Sequence, residues 1–153
     1  MKMLQAIILV WMLLTAKVLA QEPKPHQPTP PPSVRFEAVD VYVDSGDVPL
    51  AAYQFELAAE TGEITIVGIE GGEHPAFKEP PYYDPAALSK GRIIIAAFNT
   101  GRDLPKGKTR VARIHVQVLG EARPQYVIEV KVTASAEGRH LWPTVTATRR
   151  EDR

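Results

Sequence analysis

The chain has 153 residues with 18 basic and 18 acidic side chains, 14 prolines and no cysteine. A neutral balance without a basic stripe argues against nucleic acid as a partner, and the missing cysteine excludes disulfides, thiol catalysis and lipid attachment through an N-terminal cysteine. The length holds one ordinary domain once its terminal segments are set aside.

Residues 1–20 read as a secretory signal peptide. Lys2 gives a positive start, Met3 to Ala16 form an apolar run broken only by Gln5 and Thr15, and Val18-Leu19-Ala20 fits a small-residue cleavage site. A membrane-spanning helix needs roughly 18 or more apolar residues, and this run meets Lys17 first. Retention as an uncleaved anchor is the alternative, and it is the only membrane association expected. Cleavage removes Lys2 and Lys17 and leaves 16 basic residues against 18 acidic. The location implied is secreted, periplasmic or cell-envelope.

Residues 21–33, QEPKPHQPTPPPS, form a Pro-rich linker in which recurring prolines forbid helix and sheet ladders and favour extended polyproline. At roughly 3.1 Å per residue it reaches about 40 Å, enough to act as a spacer. The other reading is a leader with no spacing task.

From Val34 the apolar residues recur with period two, the mark of half-buried strands. Val39, Val41 and Val43 alternate with Asp40 and Tyr42 before a Ser45-Gly46-Asp47 turn. Ala51, Tyr53, Phe55 and Leu57 form the inward row of a second strand, with Ala52, Gln54 and Glu56 outward. Ile64 to Ile69 is apolar enough for a central strand, and Gly71-Gly72 ends it. A long loop follows over residues 73–90. Ile93, Ile94, Ile95 and Phe98 then make a continuous run suited to a strand covered on both faces. Ala112, Ile114, Val116 and Val118 alternate with Arg113, His115 and Gln117, and Tyr126, Ile128, Val130 and Val132 alternate with Glu129 and Lys131. Trp142 to Thr148 supply a last strand, and residues 149–153 a charged tail. The fold class expected for residues 34–148 is all-β, a jelly-roll β-sandwich of about seven to nine strands.

Val41 to Leu57, VYVDSGDVPLAAYQFEL, resembles the opening of a cohesin-type domain, and Gly91 to Gly120, GRIIIAAFNTGRDLPKGKTRVARIHVQVLG, resembles the later cohesin pattern. Cohesins commonly carry a Tyr-Asp-Pro turn after the second strand, where this chain has Ala58-Ala59-Glu60-Thr61-Gly62; its Tyr83-Asp84-Pro85 comes later. The resemblance implies a nine-stranded jelly roll of the cohesin and carbohydrate-binding-module-like type, with a protein-recognition face whose usual partner is a calcium-loaded dockerin. No dockerin-like repeat occurs in this chain, so such a partner would be a separate molecule.

The loop EHPAFKEPPYYDPAALSK concentrates Phe77, Tyr82 and Tyr83, with Asp84, among prolines. These four are the candidate binding residues, because rigidly held aromatics anchor proteins and sugar rings at low entropic cost. The competing reading has the rings fold back to plug the sandwich. Catalytic patterns are thin. His26, His74, His115 and His140 show no close ligand spacing, and Ser33, Ser45, Ser89 and Ser135 lie in no nucleophile elbow. Glu70 and Glu73 are the nearest to a hydrolytic carboxylate pair, while Asp44 and Asp47 suit a turn better than calcium. The expectation is a non-catalytic exported module with no cofactor, recognising an exported protein partner, dockerin-like or other, through a sandwich face or this loop. The alternative is carbohydrate binding, with Tyr82, Tyr83 and Phe77 as stacking platforms.

Overall fold

In the computed structural model, which describes residues 31–150, the period-two segments and a short piece of the expected loop form eight strands. They are β1 (Val34–Asp44), β2 (Ala52–Thr61), β3 (Glu63–Gly71), β4 (Tyr82–Tyr83), β5 (Arg92–Phe98), β6 (Lys108–Leu119), β7 (Gln125–Ala134) and β8 (Thr144–Arg149). The signal segment, most of the linker and residues 151–153 lie outside the described residues. Two antiparallel four-stranded sheets, ordered β3-β6-β1-β8 and β4-β5-β2-β7, make the expected all-β sandwich.

Alternation decides what fills the space between the sheets. Val39, Val41 and Val43 of β1 and Ile114, Val116 and Val118 of β6 point inward from one sheet; Tyr53, Phe55 and Leu57 of β2 and Ile93 and Ile95 of β5 point inward from the other. Fully burying side chains of this size stabilises by about 1.5–3 kcal/mol each. The one polar atom carried in by Tyr53 is satisfied, since its hydroxyl donates to the Val111 carbonyl at 3.0 Å. A bulge in β6 opposite Val41 and Tyr42 buries both Val111 and Ala112.

Every connection except β4 to β5 passes from one sheet to the other, so the strands it joins belong to opposite sheets. The tightest crossing is at Gly62, which joins β2 to β3 at φ +81° with Pro124 packed against its Cα. That backbone conformation suits glycine. At the same end Arg35 donates to the carbonyls of Gly120 and Ala122, and Arg149 to that of Pro124. Glu37 lies between the two guanidiniums, at 2.8 and 2.7 Å.

Several expectations are corrected by this pairing. β3 is an edge strand, not a central one; a bulge at Val67 and bonds from Ile66 to Ser89 and Lys90 interrupt its free side. β5 is covered on one face only: Ile93 and Ile95 are buried, whereas Ile94 is 37 % exposed. In β7 a bulge between Val130 and Val132 reverses the phase, so Val132 shares the outer face with Gln54 and Thr133 takes the buried side. The last strand starts at Thr144, leaving Trp142 outside it and 90 % exposed. It also runs on through Arg149, and the Arg150 amide bonds to the Ala38 carbonyl, so the charged tail begins inside the sheet.

Candidate functional site

The stretch expected as one long loop is an ordered path in four steps. Gly71 and Gly72 leave β3 where a Cβ would meet the Lys78 carbonyl oxygen at 2.0 Å or the Arg110 carbonyl oxygen at 2.4 Å, so only glycine lets the chain turn back there. The His74 ring then accepts from the Ala76 amide at 3.2 Å and starts a 3₁₀ turn over Pro75–Phe77. Pro80 and Pro81 straighten the chain into β4, which pairs Tyr82 with Ala96 and Tyr83 with Ile95 of β5. Finally Asp84 accepts from the Ala86 amide at 2.9 Å and caps a second 3₁₀ turn over Pro85–Ala87.

These steps divide the candidate residues. Phe77 is only 3 % exposed and meets Tyr53 edge-on at 5.2 Å, so it plugs the sandwich and its ring is closed to any ligand. This corrects its expected role as a stacking platform. Tyr83 points inward and packs against the core, while Tyr82 points outward and is 73 % exposed. Successive residues of a strand face opposite ways, which is why two adjacent tyrosines part company. One Asp84 oxygen is committed to its turn.

Tyr82 is not alone. Phe98, 67 % exposed and diagonal to it across the β4–β5 pair, holds its ring 6.4 Å away at an interplanar angle of 12°. Ile94 and Ala96 continue the same side of β5, and Val127 and Val132 of β7 lie on the far side of Gln54 and Glu56. Arg92 pairs with Glu56 at 3.3 Å. Beside this face a cleft of about 450 Å³ is lined by Tyr82, Tyr83, Asp84, Lys90, Arg92 and Ile94, among others.

The outer face of the other sheet has a different chemistry. Arg113 grips Asp40 with two bonds, at 2.6 and 3.0 Å, and His115 bonds Glu70 at 2.7 Å. The His115 hydrogen bond holds the Glu70 carboxyl below its ordinary value, helped by the charges of Arg113 and Arg110. Val34, Phe36 and Val67 are exposed there, but paired charges occupy the middle of the face. Glu73, by contrast, accepts from the Arg110 amide at 2.8 Å and ties the loop to β6. Asp44 accepts from the Gly46 amide at 3.1 Å as a turn residue. His26 lies outside the described residues, and among those described no group of three or more His, Cys, Asp or Glu side chains is placed to hold a metal.

Sequence reasoning missed Phe98, Ile94 and Val132 as surface residues. The signal was present in Arg92–Phe98, whose apolar residues occupy both phases; one phase fills the core and the other lies open to solvent. No protein-family model matches the chain, and no curated protein or solved structure does.

Proposed function

We propose that the chain is an exported, non-catalytic binding module that recognises a separate exported protein through the outer face of sheet β4-β5-β2-β7. The observation that carries this reading is the apolar row of exposed Tyr82, Ile94 and Phe98 with half-buried Ala96 among them, beside a cleft and set against an opposite face whose central charges are already paired. Contiguous exposed apolar area rimmed by polar groups is characteristic of interaction surfaces, and aromatic side chains are the usual anchors of such contacts. The cohesin resemblance fits a recognition site borne on a sandwich face; a dockerin-like partner is one form of it.

Carbohydrate binding is the second reading, favoured by one observation: the near-parallel exposed rings of Tyr82 and Phe98 next to polar Gln54, Asp84 and Arg92. One experiment separates the two. The mature chain, wild type and Tyr82→Ala/Phe98→Ala, is used as bait against exported proteins and, separately, against insoluble polysaccharides. Capture of a defined protein by the wild type alone supports the first reading. Retention on polysaccharide by the wild type alone replaces it with the second, and identical behaviour of the two baits removes this face from both.

A further inference from the structure

The pairing of β5 leaves part of its backbone without a partner. Residues of β2 and β5 that face each other sum to the same register throughout, and the flanking bonds from Ala59 to Gly91 and from Asn99 to Ala51 show that odd-numbered residues of β5 bond to β2. Backbone groups of successive residues alternate between the two sides of an antiparallel strand. The N–H and C=O groups of Arg92, Ile94, Ala96 and Phe98 therefore point away from β2, toward β4. Of these, Ala96 is met by Tyr82. Phe98 comes opposite Pro80, which has no N–H to give. Ile94 would come opposite Asp84, but there the chain has already left the ladder for the capped turn at Pro85–Ala87. Among the described residues no backbone bond from Arg92 or Ile94 reaches that side. The cleft lined by Tyr83, Asp84, Lys90, Arg92 and Ile94 lies along this stretch.

The geometry points to strand addition: an extended segment of the partner polypeptide enters this cleft and pairs antiparallel or parallel with β5 at Arg92 and Ile94, taking up the line that β4 abandons after Tyr83. The inference rests on the proposed protein-binding reading and specifies its partner chemistry. Donor and acceptor pairs on alternate residues, about 6–7 Å apart along a strand, match the repeat of an extended polypeptide, whereas a helix has its own backbone groups already bonded. Paired residues share a face, so the incoming residue opposite Ile94 lands on the outer side beside Tyr82, where an apolar side chain extends the exposed row. The prolines at 80, 81 and 85 keep β4 itself short, which confines addition to the cleft rather than opening a long edge to aggregation.

The test uses the full mature chain, a peptide selected from a displayed library of random octapeptides, and the variants Ile94→Pro and Ile94→Ala. In this register proline removes an outward N–H and fixes φ at that residue, a change that edge positions tolerate. The expected result is at least tenfold weaker peptide binding by Ile94→Pro, less than threefold by Ile94→Ala, and slowed hydrogen exchange of the Arg92 and Ile94 amides when the peptide is bound. Failure to enrich any peptide, or a peptide that binds Ile94→Pro as well as wild type, overturns the inference. Should Ile94→Pro fail to fold, hydrogen exchange in the wild type decides, and Arg92 and Ile94 amides that exchange no more slowly with peptide bound overturn the inference. A dimer of the chain itself that Ile94→Pro dissociates would also overturn it, with a second copy as the occupant. If Tyr82→Ala/Phe98→Ala abolishes capture of the protein partner while Ile94→Pro leaves it intact, the binding face stands and strand addition alone falls.

Discussion

Ile114 and His115 are neighbours on β6 with opposite fates, one fully buried in the core and the other bonded to Glu70 on the outer face. Ile114→Ala should cost about 2–5 kcal/mol, because the methyl groups leave a cavity between two sheets that cannot close on it. His115→Ala should cost less than about 1 kcal/mol, the usual range for an exposed polar pair. Urea unfolding of the two variants measures the difference, and equal losses would mean that the register of β6 is wrong. Glu70 carries a pH signature. Its carboxyl is held below its ordinary value in the folded protein, first by the His115 hydrogen bond, so the stability it contributes is present above the ordinary carboxylate range. That contribution is lost as pH falls through the depressed folded value. Glu70→Gln should therefore lose stability less steeply than wild type on acidification, read from thermal unfolding across the acid range; identical slopes would count against the bond.

At the scale of elements, the two-residue β4 holds Tyr82 at the sheet surface, while the 3₁₀ turn before it drives Phe77 into the core. Their alanine variants should separate cleanly. Phe77→Ala should destabilise by about 3–5 kcal/mol, as expected for a large buried ring, and Tyr82→Ala by under about 0.5 kcal/mol, as for most surface changes. Calorimetry of both decides it, and a large loss at Tyr82 would show that its contact with Phe98 supports the fold rather than a partner. The same contrast explains why the aromatic content of the loop was a good guide to importance and a poor guide to role. Proline and tyrosine spacing announces a rigid segment, but which ring turns inward follows from the pairing of Tyr83 with Ile95.

For the whole molecule, the chain alternates between sheets at every connection but one, so its hydrogen-bonded pairs are distant in sequence: β1 bonds β6 and β8, and β2 bonds β5 and β7. Loop-closure entropy is spent before such pairs form, and topologies of this kind fold slowly. Slow assembly is compatible with export in an unfolded state, and the proposal of export makes its own prediction. The mature protein should begin at Gln21, as read by intact mass of material recovered from outside the cytoplasm. A membrane-bound species that keeps residues 1–20 would replace cleavage by anchoring.

By itself the sequence determined the all-β class and the inward rows of β1, β2 and β6, because period-two burial is a local property written in residues such as Val39, Val41 and Val43 or Ile114, Val116 and Val118. It also singled out the 73–90 segment as unusual. It did not determine which strands lie at the edges, since Ile64 to Ile69 is as apolar as a central strand yet pairs on one side only with β6. Nor did it show that the second apolar phase of β5 faces solvent, or that Val132 turns outward past a bulge. Those outcomes depend on strand order and register, which arise from contacts between segments far apart in the chain. The candidate surface belongs to this second kind: Tyr82 from the loop, Ile94 and Phe98 from β5 and Val132 from β7 share a face only because one consecutive pairing, β4 with β5, and two non-consecutive ones, β5 with β2 and β2 with β7, bring their strands side by side.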